Sequence, residues 1–251
     1  GNRKYKHVIA LTKSELAADF LRNKGFSQVR AVGVGVDSEQ FSVKEGEEVA
    51  CRLQEDESCF RLLYVGKIEE RRNVYFLIEL FELLQKKREN IRLVIVGDGE
   101  EQYRKAFLDR IRPWTENGKI IYYQKATQKE LALIYQRSDM FVFTSNYEIF
   151  GMVLLESMYF GLPVISSMNG GASVLINSGK NGYVMDSFNA DLWAEKILAV
   201  AEDEELRHVM GREAKQTIEK HFLWDRLADQ FIRAYSDEVE EYERLQQERK
   251  R

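Results

Sequence analysis

Residues 145–167 read SNYEIFGMVLLESMYFGLPVISS, and the fold is worked outward from them. They follow an apolar, β-like run at 139–145, cross a short polar turn and open a helix near residues 149–151. Gly161-Leu162-Pro163 then ends that helix and leads into another apolar strand. Glu148 stands just before the helix and Glu156 about two turns into it. Counted as helix, the interval is about 12 Å along the axis and about 80° around it, which turns both carboxylates toward one extended ligand. Between them lie the backbone amides of Phe150, Gly151 and Met152 at a helix N-terminus, a place that attracts anions and phosphate above all. Two acids flanking a phosphate-attracting row suit a ligand with hydroxyls at both ends and a charged middle, the outline of a nucleotide-sugar. Paired glutamates are more often a solvated helix face. Here Val153, Leu154, Leu155, Met158 and Tyr159 make the helix too apolar for that, so Glu156 is expected half-buried and in need of a partner.

Glu148-x7-Glu156 with Phe150-Gly151, Leu155-Glu156 and Gly161-x-Pro163-Val164 resembles the signature of the group 1 family of retaining glycosyltransferases, GT-B enzymes that include glycogen and sucrose synthases. The chain as a whole is compatible with such an enzyme. Its 251 residues, 44% hydrophobic, suffice for one large domain or one and a half. A net charge of -4 gives no electrostatic case for nucleic acid. No apolar run reaches the ~18 residues of a transmembrane span, and no signal peptide is evident. Cys51 and Cys59 bracket an acidic segment and read as thiols of a reduced, cytoplasmic chain rather than as a disulfide. His7, His208 and His221 are scattered without metal-ligand spacing. No Cys-His, Ser-His-Asp, HExxH, Walker A or DxD pattern occurs, so hydrolytic and zinc chemistry drop out.

Between 60 and 186, β-like runs at 61–67, 91–96, 119–124, 139–144, 163–166 and 182–185 alternate with helix-period runs at 74–87, 101–111, 128–136, 150–160 and 172–177. That alternation predicts an α/β fold, a Rossmann-like doubly wound parallel sheet, whose ligands bind beyond the C-terminal ends of the strands. Before it, a strand at 7–12, a helix at 14–24 capped by Ser14, and a strand at 28–36 are expected; beyond it, helices at 191–201, 204–220 and 226–247. The last of these carries a weak apolar stripe, Val239, Tyr242 and Leu245, and reads as a solvated helix or frayed tail.

The strand-end loops carry the candidate chemistry. Gly66-Lys67 through Arg72 places two bases five apart at a turn into a helix; the family's loop is similar, Gly-Arg then four residues then Lys, with the bases holding a diphosphate. Here the two are exchanged, so charge is kept while the guanidinium fork moves to position 72. A solvated charge run is the plain alternative. Gly97-Asp98-Gly99 lacks the third glycine of a dinucleotide fingerprint but resembles the family's Gly-Asp-Gly turn near the nucleotide; Asp98 reads equally well as a turn residue or cap. Gln124-Lys125 falls where the family usually has Gly bordering the base, with Lys125 either touching the base or exposed. Gly170-Gly171 before a helix offers backbone amides to a sugar or phosphate, or makes a simple tight turn. Ser173-Val174 stand where the family often has Pro-Glu.

The resemblance is close over about 60–235 and in outline over 7–41, where Gly33 to Asp37 and Phe41 look like the end of the family's acceptor domain. It implies residues 1–41 as a remnant of that N-terminal domain, 42–59 as a linker, 60–221 as the nucleotide-sugar-binding domain, the C-terminal half of a GT-B enzyme, and 222–251 as a crossover helix and tail. The Gly1 start fits a piece of a longer protein. Carried over, Gly66, Lys67, Arg72, Gly97, Lys125, Glu148, Phe150, Gly151, Met152, Leu155 and Glu156 would bind the donor. Lys67 and Arg72 would neutralise the leaving diphosphate, Glu148 would hold the transferred hexosyl group and Glu156 the ribose. No metal or cofactor is implied beyond the donor, a nucleotide-diphosphate sugar. The acceptor, a saccharide or lipid-linked molecule, would be held by a domain outside this chain, which alone would bind donor and transfer little. The family also admits peripheral membrane association of the full-length protein. Two alternatives stand beside this reading: a GT-B nucleotide-sugar epimerase, and a non-catalytic nucleotide-sugar-binding or assembly module.

Overall fold

The computed structural model describes residues 9–13, 15–42, 49, 51–53 and 58–248. His7, the Ser14 cap and the side chains of Tyr242 and Leu245 lie outside them, as does most of 43–57. The chain divides into two compact units, Gly1–Ser38 with Lys220–Arg251, and Glu39–Glu219.

In the larger unit the apolar runs become six strands: β3 (Phe60–Val65), β4 (Ile91–Val96), β5 (Ile120–Tyr123), β6 (Met140–Phe143), β7 (Val164–Ser167) and β8 (Gly182–Met185). All pair in parallel, in the order β5-β4-β3-β6-β7-β8. Every residue of β3, β6 and β7 is buried, as expected of central strands covered on both faces. The covering helices are α2 (Val74–Lys87), α3 (Glu101–Glu116), α4 (Gln128–Gln136), α5 (Met152–Tyr159), α6 (Gly170–Leu175), α7 (Ala190–Glu202) and α8 (Glu204–His221). Phe76 of α2 meets Trp193 of α7 edge to face at 5.3 Å, sealing one side of the core.

The order of strands creates the site. The chain builds outward from β3 through β4 to β5, then returns to lay β6 on the other side of β3, pairing Leu62 with Met140 and Leu63 with Phe141. Loops leaving β3 and β6 therefore diverge, and a crevice opens between them. The expected fold class is the one observed.

Three of the boundaries that differ from expectation have a local cause. Helix α3 runs on through Pro113 to Glu116 rather than ending at 111. Pro113 removes one amide from the helix, yet the Asn117 and Lys119 amides still close the end on the Pro113 and Trp114 carbonyls at 3.4 and 2.9 Å. Helix α5 begins at Met152, so residues 148–151 are not helical. The strand expected over 28–36 is only β2 (Gln28–Ala31), because Gly33 takes a positive φ of 84° that extended backbone excludes.

In the smaller unit β2 pairs in parallel with β1 (Ile9–Thr12), α1 (Glu15–Asn23) links them, and α9 (Trp224–Glu248) follows. Val36 and the 222–224 step exchange backbone hydrogen bonds of 2.7 and 2.9 Å. A side chain at Gly35 would strike Leu227 and the Phe222 carbonyl, so this close approach needs glycine.

Candidate active site

Loops from the C-terminal ends of β3, β4 and β5 line a cleft of about 880 Å³. The first contributes Gly66 and Lys67, the second Gly97 and Asp98, the third Gln124 and Lys125. Its floor is backbone on backbone. The Ile68 amide donates to the Asp98 carbonyl at 2.9 Å and the Gly66 amide to the Val96 carbonyl at 3.0 Å. A methyl group on Gly97 would lie 1.8 Å from the Gly66 carbonyl oxygen, and one on Gly99 would lie 2.1 Å from that of Ile68. The buried Tyr64 hydroxyl donates to the Lys67 carbonyl at 2.9 Å, fixing the backbone from which the exposed Lys67 side chain rises.

Arg72 is turned another way. It ends the short 3₁₀ turn Glu70–Arg72, before Asn73, which takes the left-handed conformation (φ 51°) that asparagine tolerates. The guanidinium, 14% exposed, donates to Glu148 Oε2 and, at 3.3 Å, to Ser145 Oγ; its Nε lies 3.6 Å from Glu69. It also lies 5.3 Å from the Phe143 ring centroid. Thr144 Oγ1 donates to the Arg72 carbonyl and the Asn146 amide to the Arg71 carbonyl, both at 2.9 Å, so the β3 and β6 loops are laced together across the crevice.

Glu148 is 16% exposed and takes the Ile149 amide on Oε1 at 3.0 Å. Burial pushes its carboxyl up, but the hydrogen bond and charge of Arg72 and the amides of Phe150 and Ile149 outweigh it, leaving the pKa below its ordinary value. Of the three amides expected to be open here, that of Phe150 is turned onto Glu148. The helical spacing drawn between Glu148 and Glu156 is corrected. Helix α5 starts four residues after Glu148, with Gly151 at φ 74° as its N-cap, and the two carboxylates serve different partners.

Glu156 accepts a hydrogen bond from the Tyr135 hydroxyl at 3.0 Å. Burial raises its pKa to about 6 and the Tyr135 hydrogen bond pulls it back. Tyr135, on α4, is fully buried and stacks on Phe160 at 5.2 Å. Sequence reading foresaw that Glu156 needs a partner but not which one. The available signal was a tyrosine in the apolar run of α4, whose hydroxyl must find a partner if buried.

Asp98 binds Arg104, takes the Gly99 amide at 2.9 Å and the Gln124 side-chain amide at 3.3 Å, and lies 3.9 Å from Lys125. The Arg104 hydrogen bond, then the Gly99 amide, hold its carboxyl below the ordinary range. Lys125 is 81% exposed. Gly170 donates its amide to the Glu148 carbonyl at 2.9 Å, and a methyl on Gly171 would lie 1.7 Å from the Phe150 carbonyl oxygen. In this structure the pair shapes the Glu148 loop, and the Gly170 amide is not open to a ligand. Leu155 is wholly buried, and Met152 beside it is exposed. Among the described residues no three His, Cys, Asp or Glu side chains converge as metal ligands, and no helix is long and apolar enough to cross a membrane. Cys51 and Cys59 carry thiols.

Comparison with known proteins adds the family. The sequence profile of "Glycosyl transferases group 1" matches residues 47–217. The chain belongs to the group 1 glycosyltransferases. One member, the GDP-mannose-dependent alpha-mannosyltransferase of Corynebacterium glutamicum, is 30% identical over 234 residues, 91% of this chain and 52% of its own. Among solved group structures, sucrose-phosphate synthase of Thermosynechococcus elongatus superposes with a TM-score of 0.75 at 22% identity, over 90% of this chain and 57% of its own. Anabaena HepE in complex with UDP-glucose gives 0.74 at 19% identity, over 91% and 64%. At such identities these likenesses show the fold, that of the GT-B glycosyltransferases. The chain spans about half the length of the curated relatives it matches.

Proposed function

We propose that this chain is the donor-binding half of a retaining glycosyltransferase that moves a hexosyl group from a nucleotide-diphosphate sugar to an acceptor held by a separate domain. The observation that carries this reading is the grouping beyond the strand ends: a cleft with a bare-backbone floor and Lys67 at its wall, beside the Arg72–Glu148 pair at the crevice between β3 and β6. A diphosphate brings two or more negative charges. Lys67 would meet them as a mobile point charge, and Arg72 as a guanidinium already oriented by Glu148, Ser145 and Glu69. Charge that develops on the leaving diphosphate would thus be stabilised by groups fixed before reaction. Glu148, held ionised, would accept hydrogen bonds from the transferred sugar, and Glu156 from the ribose. The complex of the Anabaena relative with UDP-glucose supports a nucleotide-sugar donor. In this reading Lys67 and Arg72 supply the positive charge, no cofactor takes part, and the setting is cytoplasmic.

Isothermal titration of the chain with UDP, GDP, ADP and their hexose conjugates tests it, repeated on Glu156→Ala and Lys67→Ala. Binding of one nucleotide family, weakened at least about tenfold in both variants, is expected. A folded chain that binds none of them at millimolar concentration refutes a donor site here. Robust transfer by the 251-residue chain alone refutes the assignment of the acceptor site to another domain.

A further inference from the structure

The carboxylates of the site differ in what answers their charge. Glu148 has Arg72 and Asp98 has Arg104, each guanidinium hydrogen-bonded to its acid. Glu156 stands in no ion pair with a described residue; burial and one neutral donor, the Tyr135 hydroxyl on Oε2 at 3.0 Å, set its titration. A carboxylate drawn part-way out of water without a cation is costly unless hydrogen bonds replace those it has lost. Oε1 takes none from a described residue and still reaches solvent. That oxygen is an acceptor open to a donor from outside the chain.

The hydroxyl on the other oxygen is rigidly placed. Tyr135 is fully buried, its ring stacked on Phe160 at 5.2 Å and 13°, with Phe141 of β6 at 6.3 Å. Phe160 and Glu156 are four residues apart, and the Phe160 amide closes the last turn of α5 on the Glu156 carbonyl at 3.1 Å, so the two side chains share one helix face. Tyr135 thus meets that face at two points, ring on ring and hydroxyl on carboxylate. A glutamate side chain turns about three bonds, and freezing it when a ligand arrives costs affinity; here the hydrogen bond freezes it beforehand. The same bond favours the ionised acid, the form that accepts from hydroxyls and donates to none.

We propose that Tyr135 is a positioning residue for the donor: by holding Oε2 of Glu156 it leaves Oε1 for the ribose hydroxyls, and so sets how strongly the site prefers a ribonucleotide to one lacking them. This rests on the assignment of Glu156 to the ribose made above. Being fully buried, Tyr135 acts through Glu156 and not by contact with the donor.

The test is isothermal titration of the 251-residue chain, near neutral pH, with UDP, GDP and ADP and with their 2′,3′-dideoxy analogues. For the base that binds, the quantity read is the ratio of ribo to dideoxy affinity. It is expected to be at least about tenfold in the wild type, to fall by at least about threefold in Tyr135→Phe, and to approach about one in Glu156→Ala. A purely structural role for Tyr135 would weaken both nucleotides alike; a ratio kept in Tyr135→Phe but lost in Glu156→Ala overturns the proposal and leaves the ribose assignment standing. Binding with a wild-type ratio of about one overturns the proposal and the ribose role of Glu156 together, though not the donor site. No binding of any nucleotide removes all three. The amide NMR spectrum of Tyr135→Phe reports separately that the variant is folded.

Discussion

Replacing Tyr135 by phenylalanine isolates one hydrogen bond in an otherwise unchanged setting. The ring of Tyr135 is fully buried and stacked on Phe160, and phenylalanine keeps both the volume and the stack. What disappears is the hydroxyl 3.0 Å from Glu156 Oε2, which holds the buried carboxylate near a pKa of about 6 against a burial that drives it higher. A hydrogen bond to a charged group is worth about 1.5–3 kcal/mol, equivalent to about one to two pK units. Tyr135→Phe should therefore lift Glu156 to about 7–8. Two assays read this. Carbon-13 NMR of the labelled Glu156 carboxyl gives the titration midpoint directly. Urea denaturation at several pH values gives the linked stability. Because the folded pKa is already raised above the ordinary carboxylate value, the stabilisation linked to protonation is complete below that ordinary value and lost as pH rises through about 6. In the variant the loss comes later and runs deeper. The destabilisation of Tyr135→Phe relative to wild type should thus be small near pH 5 and grow to about 1.5–3 kcal/mol near pH 8. A Glu156 midpoint at or below the wild-type one, or a pH-independent difference in stability, would refute the assignment of Tyr135 as the hydrogen-bond donor.

Arg72→Ala leaves Glu148 without its partner in a half-buried site and should cost about 2–4 kcal/mol in urea denaturation at neutral pH. Because Glu148 is held below its ordinary pKa, that stabilisation exists above the ordinary value and fades as pH falls through the lowered one, so wild type and variant should converge in acid. Gly97→Ala drives a methyl group into the Gly66 carbonyl, backbone that cannot swing aside; a loss of about 3 kcal/mol or more and a lower Tm are expected. Lys125→Ala, at a side chain 81% exposed, should change stability by less than about 0.5 kcal/mol, so any fall in nucleotide affinity measured on it reports direct contact.

The α/β order was legible because each central strand is a continuous apolar run between helical periods, and parallel strands buried on both faces leave that mark. Lines of residues such as 91–96 and 74–87 carry their boundaries in composition alone. Helix α3 runs past its expected end at 111, because a proline late in a helix costs one amide and the chain continues. At the site, sequence marks which loops meet at strand ends, but not which side chains pair across them. Tyr135 and Glu156 are 21 residues apart, Arg72 and Glu148 76, and only the folded sheet brings them together. The error over residues 148–151 has a different cause. A glycine at positive φ lets the chain turn sharply before the helix, so periodicity counted across Gly151 loses its meaning.

The floor of the cleft beyond β3 and β4 is made where Gly66, Ile68, Gly97 and Gly99 touch through atoms common to every amino acid. Its contour is consequently independent of the side chains that rise from it, provided those glycines stay. The exposed Lys67 and Lys125 side chains can be exchanged without redrawing the surface beneath them, whereas Asp98, which takes the Gly99 amide, is tied to it.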